Sequence, residues 1–254
     1  MTLVWKPGLL LKNGMVITGR EAGPADPYIG NVSLLLHGDG ANGSTTIVDS
    51  SPSPKTVTAF GDAALATPPS YPNSNSTFGN AIAFDGNGDY LSIPHSTDLS
   101  FGAGNFTVEM WLYANNLAAE PAIFVHRPAV AARGILSAID ANGSIILLAG
   151  DSNDSSWEII TTSAAGIITT GAWHHLAITR NGSTWRGWLN GTAVLTPGAA
   201  SFTLDDSGGA FLIGKSDAGS VNYFNGYIDD FRVTKGIARY TSNFTPPTAP
   251  FPDI

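Results

Sequence analysis

Residues 107–113, TVEMWLY, set the strongest constraint on the fold. Side chains of an extended chain alternate between faces. Val108, Met110 and Leu112 therefore share one face, and Glu109, Trp111 and Tyr113 share the other. Both faces carry bulk and both need cover, so this run is expected to be a central strand. Strand-sized runs also stand at 32–37, 56–60, 81–84, 90–93, 106–113, 135–139, 145–149, 157–162, 173–180, 184–190, 210–214 and 223–234. Turn signals separate them, and the close spacing is that of a sandwich or barrel. Asn142-Gly143, Asn181-Gly182 and Asn190-Gly191 are candidates for type I′ hairpin turns, in which both central residues take φ > 0. No stretch sustains a 3.6-residue period beyond a short turn at 236–240.

The composition agrees with a packed β protein. Hydrophobic residues are 43% and aromatic residues 10%, enough for a sizeable core in 254 residues. Charged residues are only 13%, and there are 29 glycines and 16 prolines. The net charge of −8 argues against a nucleic-acid partner, which would call for clustered Lys and Arg. The absence of cysteine excludes disulfides, thiol nucleophiles and Cys-ligated zinc. The longest apolar run, 145–149, falls far below the ~20 residues of a membrane span, so no membrane insertion is expected. Lys6, Pro7 and Lys12 interrupt any apolar segment of a signal peptide.

Residues 1–30 form a separate segment, ending in the linker-like GREAGPADPYIG, and are expected to be an attachment arm. Residues 31–254 form one domain closed by a Pro-rich extended tail, NFTPPTAPFP.

Four stretches together resemble the LamG-like (concanavalin A-like) domains. They are SLLLHGDG at 33–40, the run FGNAIAFDGNGDYLSIPHSTDLSFGAGNFTVEMWLY at 78–113, WHHLAITRNGSTWRGWLNG at 173–191, and GYIDDFRVTKGIARYTSNFTPPTAPFP at 226–252. The last is similar to LamG-like domains of bacteriophage tail fibres and other virion surface proteins. The resemblance implies an all-β fold, a two-sheet antiparallel jelly-roll sandwich, here with an extended N-terminal arm. It also implies glycan or protein binding and, in many members, a structural calcium. Some relatives of the same architecture are glycoside hydrolases, so the fold alone does not give the function.

The resemblance matches Asp39 and Asp229 to a calcium-sharing pair, and calcium is a hard cation that takes 6–8 oxygen ligands. Alternation through 227–233 places Asp229 with Tyr227, Phe231 and Val233, on the expected core face, and Asp230 with Ile228 and Arg232. An inward carboxylate needs a partner. Two readings of Asp229 stand: a calcium ligand, or a carboxylate satisfied by backbone N–H groups or an arginine. Asp85-Gly-Asn-Gly-Asp89 lacks the EF-hand's glycine at position six and glutamate at position twelve, and reads as a tight turn.

Hydrolases on this fold carry Glu-x-Asp-x-x-Glu on one strand. The four glutamates here, Glu21, Glu109, Glu120 and Glu158, do not form that pattern. Glu109 is the best single candidate, since Trp111 and Tyr113 share its face. His174 and His175 are adjacent on a strand and point to opposite faces, which prevents them from sharing a metal. No catalytic residues are assigned. Binding is the better class, with Trp157, Trp185 and Tyr223 as stacking candidates and His126, Arg127 and Arg133 as polar candidates in a loop. The expected protein is a non-enzymatic phage virion surface protein. Its arm would dock on other virion proteins and its jelly roll would bind host-surface glycan. Capsid decoration with a structural role is the alternative, and a glycan-degrading hydrolase a weaker one. Self-association in a symmetric assembly is expected.

Overall fold

The computed structural model describes residues 11–12, 15–16, 25–71, 78–117, 120–127, 133–151, 156–205, 208–216 and 222–253. Short strands β1 (Leu11–Lys12) and β2 (Met15–Val16) pair with each other. The body begins with β3 (Val32–Leu36), β4 (Thr58–Phe60), β5 (Ala64–Ala66), β6 (Ala81–Asp85), β7 (Tyr90–Ile93) and β8 (Phe106–Ala114). It continues with β9 (Ala122–His126), β10 (Ile135–Ile139), β11 (Ile145–Ala149), β12 (Ile159–Thr162) and β13 (Trp173–Asn181). β14 (Thr184–Leu189), β15 (Thr192–Leu195), β16 (Phe211–Ile213) and β17 (Asn225–Lys235) complete it.

Two antiparallel sheets form the sandwich. One has the order β15-β14-β13-β8-β17-β6-β5, with β3 also paired to β17; the other has the order β12-β11-β10-β9-β16-β7-β4. β8 is central, as its two bulky faces require. Val108, Met110 and Leu112 join the core between the sheets, where Leu34, Phe84, Phe106, Phe124, Leu176, Trp185, Phe211 and Phe231 are buried. Trp111 packs on the opposite face with Tyr71, Ala81 and Trp173.

Of the three Asn-Gly turns, only Asn190-Gly191 has both residues at positive φ (49° and 80°), as type I′ demands. Gly182 is positive at 60° and its neighbours are not, the pattern of a type II′ turn with glycine first. Asn142-Gly143 lies in a five-residue connection between Ile139 and Ile145. β5, β9 and β15 are strands where the sequence pattern predicts connections.

β17 departs from simple alternation. It pairs with β8 along its length, while its other edge is shared by β6 at Asn225–Ile228 and by β3 at Phe231–Thr234. Between these partners the register with β8 shifts at Asp229–Arg232, and Asp230 takes φ 48°, so a β-bulge sits at the double aspartate. The extra residue flips the faces. Ile228, Phe231 and Val233 all lie in the inter-sheet core, while Tyr227 joins the outer aromatic cluster. The expectation that Asp229 faces the core with Phe231 is therefore corrected. Asp229 lies opposite Trp111 and belongs to the outer face.

The linker reading of residues up to 30 also fails for the final residues. Asp26 is buried and Ile29 packs beside Val32, Leu35 and Phe251, so residues 25–30 are part of the jelly-roll body.

Candidate functional site

Glu109, the best candidate for an acid, is fully buried on the outer face of the eight-stranded sheet. Arg232 lies opposite it on β17 and donates to its Oε1 from Nε (3.0 Å) and Nη2 (2.8 Å). The Tyr240 hydroxyl donates to Oε2 at 2.7 Å, and His175 Nε2 lies 3.4 Å away. Asp26 joins the same network. Its carboxylate accepts from Arg232 at 3.1 Å and from Arg239 at 3.0 and 2.7 Å. The Phe251 ring covers the Arg232 guanidinium at 3.7 Å. Burial alone would raise the Glu109 pKa, but Arg232, His175 and Arg239 outweigh it and hold the carboxyl well below the usual range. Burial and the Glu109 charge push the Tyr240 phenol well above its ordinary value. These charges tie the residues after β17 and the segment before β3 to the sheet. A carboxylate so covered has no access to a glycosidic bond.

The double aspartate is likewise occupied. Asp230 Oδ1 lies 2.6 Å from His37 Nδ1, and Oδ2 accepts the Phe251 N–H at 2.8 Å. Asp229 accepts the Asp230 N–H at 2.7 Å and the Tyr71 hydroxyl. Both carboxylates are fully buried. Gly38 packs against the Asn80 carbonyl and Asp229 Oδ1, while the exposed Asp39 carboxylate packs against Gly79. Asp229 Oδ1 and the Asn80 carbonyl thus lie beside Gly38, the residue before Asp39. All of these donors are hard oxygens, which fits calcium.

A second acidic group gathers at the Asp85–Asp89 turn. Asp62, Asp85 and Asp89 bring one carboxylate oxygen each within 4.8 Å of the others. Asp89 is buried and accepts the Asp62 N–H at 2.7 Å and the Asp85 N–H at 2.9 Å. Burial and the Asp85 charge raise its pKa. The turn reading holds, with Gly86 and Gly88 both at positive φ, but the turn joins strands of different sheets. Asp62 stands 23 residues before Asp85 in sequence, a separation that no local motif reports.

The stacking and loop candidates divide. Trp185 is fully buried between Phe106 and Phe202, and its indole N–H donates to the Ala200 carbonyl at 3.1 Å. It has no face for a ligand. His126 is not in a loop. It ends β9, is 2% exposed and packs on Phe101 and Phe211. Arg127 is buried beside Gly134. Arg133 lies over the half-buried Trp157 ring at 5.0 Å. Arg127 and Arg133 therefore flank the connection of β9 to β10, and Trp157 stands just before β12.

Tyr223 belongs to a more open arrangement. Phe60 and Tyr90 pair across β4 and β7 and stack at 4.5 Å, with Phe60 41% exposed. Lys215 Nζ sits 4.5 Å from the Tyr90 ring and 5.2 Å from the Tyr223 ring. Leu91 and Ile93 enter the core, so Tyr90 faces outward by alternation, and Phe60 with it. The result is an aromatic ledge with one cation, adjoining Asp62 and Asp89 in the chain. Phe60 was missed because its run was too short to fix which residue faced out.

A family model, the concanavalin A-like lectin/glucanases superfamily, matches residues 85–237, more than half of the chain. No curated protein matches the sequence. Among solved structures, the binding domain of Paraclostridial Mosquitocidal Protein 1 superposes with TM-score 0.66 at 13% identity, covering 83% of this chain and 50% of that one. A botulinum neurotoxin type C structure, described as entering cells through interaction with two ganglioside molecules, gives TM-score 0.58 at 17% identity, covering 83% and 49%. Domain 4 of AbnA, an extracellular GH43 arabinanase from Geobacillus stearothermophilus, was solved with arabinotriose. It gives TM-score 0.56 at 20% identity, covering 82% and 95%. The chain spans about half the length of the toxin structures, and at these identities the likeness is one of fold.

Proposed function

From the chain's membership of the concanavalin A-like lectin/glucanase superfamily, we propose that it is a non-enzymatic binding module that presents a glycan-binding jelly roll on a bacteriophage virion surface. The observation that carries the binding reading is the ledge of Phe60, Tyr90 and Tyr223 with Lys215. Aromatic faces stack on the apolar faces of sugar rings, and the cation and nearby carboxylates hydrogen-bond hydroxyls. Binding is favoured over hydrolysis because Glu109 is buried in ion pairs.

The N-terminal arm up to Gly30 docks on other virion proteins in this reading, its final residues already packed on the body. Calcium is held by Asp39 and Asp229 in this reading. Among the described residues no helix is long and apolar enough to cross a membrane.

The test is binding of the full chain to a glycan panel and to whole host cells, with Phe60→Ala and Tyr90→Ala beside wild type. Saturable binding lost in the variants supports the reading; absence of binding by folded wild-type protein sinks it.

One observation favours capsid decoration as a second reading. Edge strand β12, IITT, is uncharged and β-branched, and Ile160 is 68% exposed. Edges of this kind pair with other chains unless charge or proline blunts them. Self-association through β12 would suit a symmetric array. An Ile160→Lys variant that stays oligomeric in light scattering, or a monomeric wild type, counts against it.

A further inference from the structure

We infer that the outer face of the β13–β14 hairpin carries a subsite for a sugar acid, a monosaccharide unit bearing a carboxylate, separate from the aromatic ledge. Strand alternation builds it. Thr179 pairs with Arg186 and Asn181 with Thr184, so these four side chains share one face. Ile178 and Trp185, on the other face, belong to the core. Tyr240 and Thr241, from the segment after β17, complete a pocket of about 140 Å³. That is room for one sugar unit rather than an oligosaccharide.

The lining is rich in donors and, among the described residues, contains no carboxylate. The Trp188 indole N–H donates to Thr179 Oγ1 at 2.9 Å, which leaves the threonine hydrogen to be donated elsewhere. The Tyr240 hydroxyl is committed to Glu109, and its ring stacks on Phe244 at 3.5 Å as a rigid wall. Arg186 is half-buried and makes no hydrogen bond or ion pair with the described residues. The arginines on and beside this sheet at 180, 232 and 239 differ. Arg180 donates to three carbonyls, and Arg232 and Arg239 are held by Asp26. A half-buried guanidinium left open in a chain of net charge −8 is set to meet an incoming anion. Its planar fork matches a carboxylate through two parallel hydrogen bonds. The threonine hydroxyls and the Asn181 amide suit ring hydroxyls, which inorganic anions do not supply.

The test titrates the full ¹⁵N-labelled chain with glucuronate, N-acetylneuraminate, glucose and sulfate at constant ionic strength. The readouts are the Arg186 Nε–H signal and the backbone amides of Thr179 and Thr241. A sugar acid should shift these signals saturably and bind at least about tenfold tighter than glucose. Arg186→Gln should weaken it by a similar factor, and Arg186→Lys should not restore it, because an ammonium lacks the fork. Phe60→Ala should leave it unchanged, which separates this subsite from the ledge. Which of the two acids binds more tightly identifies the sugar class. Equal binding of glucose, equal binding of sulfate, or an Arg186→Gln variant that binds normally each overturns the assignment. The preference of wild type for sugar acid over glucose decides the matter even if a variant fails to fold.

Discussion

Replacing Glu109 with glutamine removes the anion on which Arg232, Tyr240 and His175 converge. Both Glu109 and Arg232 are buried, so among the described residues the variant leaves the Arg232 guanidinium balanced by Asp26, which Arg239 shares. Breaking a buried pair by removing one partner costs about 3–5 kcal/mol. At about 2–4 °C per kcal/mol for a chain of this size, the melting temperature should fall by roughly 6–20 °C at pH 7. The pH dependence is a sharper test. Glu109 titrates below the usual range when folded, whereas an unfolded glutamate titrates near ~4.3. Its stabilisation is therefore complete above that value and is lost as pH falls toward the folded pKa. The gap between wild type and Glu109→Gln should be constant from about pH 7 to 5 and narrow below ~4, since glutamine has no proton to gain. Calorimetry across that range measures it. A variant within ~2 °C of wild type at pH 7, or a gap that widens in acid, would refute the reasoning.

Other outcomes follow from the same geometry. Gly191→Ala places a Cβ against the Phe244 carbonyl at a φ of 80° and should cost about 1–3 kcal/mol, with faster proteolysis after residue 236. Unchanged melting and digestion would remove that contact from the account. Asp230→Gly keeps the positive φ but loses the His37 and Phe251 partners, so a loss of roughly 2 kcal/mol in urea unfolding reports the side chain alone. A neutral result would mean that the tail is held elsewhere. If calcium binds at Asp39 and Asp229, adding it at about 100 times its Kd should stabilise the fold by ~2.7 kcal/mol. Chelator should reverse the effect, and Asp39→Asn should abolish it; a melting temperature indifferent to chelator excludes the ion.

The strands were legible where both faces are fixed by packing, as in β8, because period-two alternation survives unbroken there. The same rule misplaced Asp229, since the bulge adds one residue and nothing in YIDDFRV marks where the count shifts. Glu109 looked like a possible acid because it shares a face with Trp111 and Tyr113. What neutralises it is Arg232, 123 residues away, and the network reaches Asp26, in a segment whose Gly-Pro composition reads as linker. Trp185 and His126 show the limit for single aromatic residues. Type and neighbourhood are visible in the sequence, but the face presented depends on pairing partners far along the chain.

β17 follows every other strand of the body in sequence, yet it sits at the centre of its sheet, hydrogen-bonded to β3, β6 and β8. During synthesis the earlier strands of that sheet emerge with a gap where their common partner belongs. β8 then offers an open edge, and β3 and β6 have nothing to join them. Closure waits for the final stretch of the domain, a late event with contacts spanning nearly the whole body. A chain interrupted before residue 225 would expose that edge, so the cell that makes this protein gains from complete translation or rapid clearance of fragments.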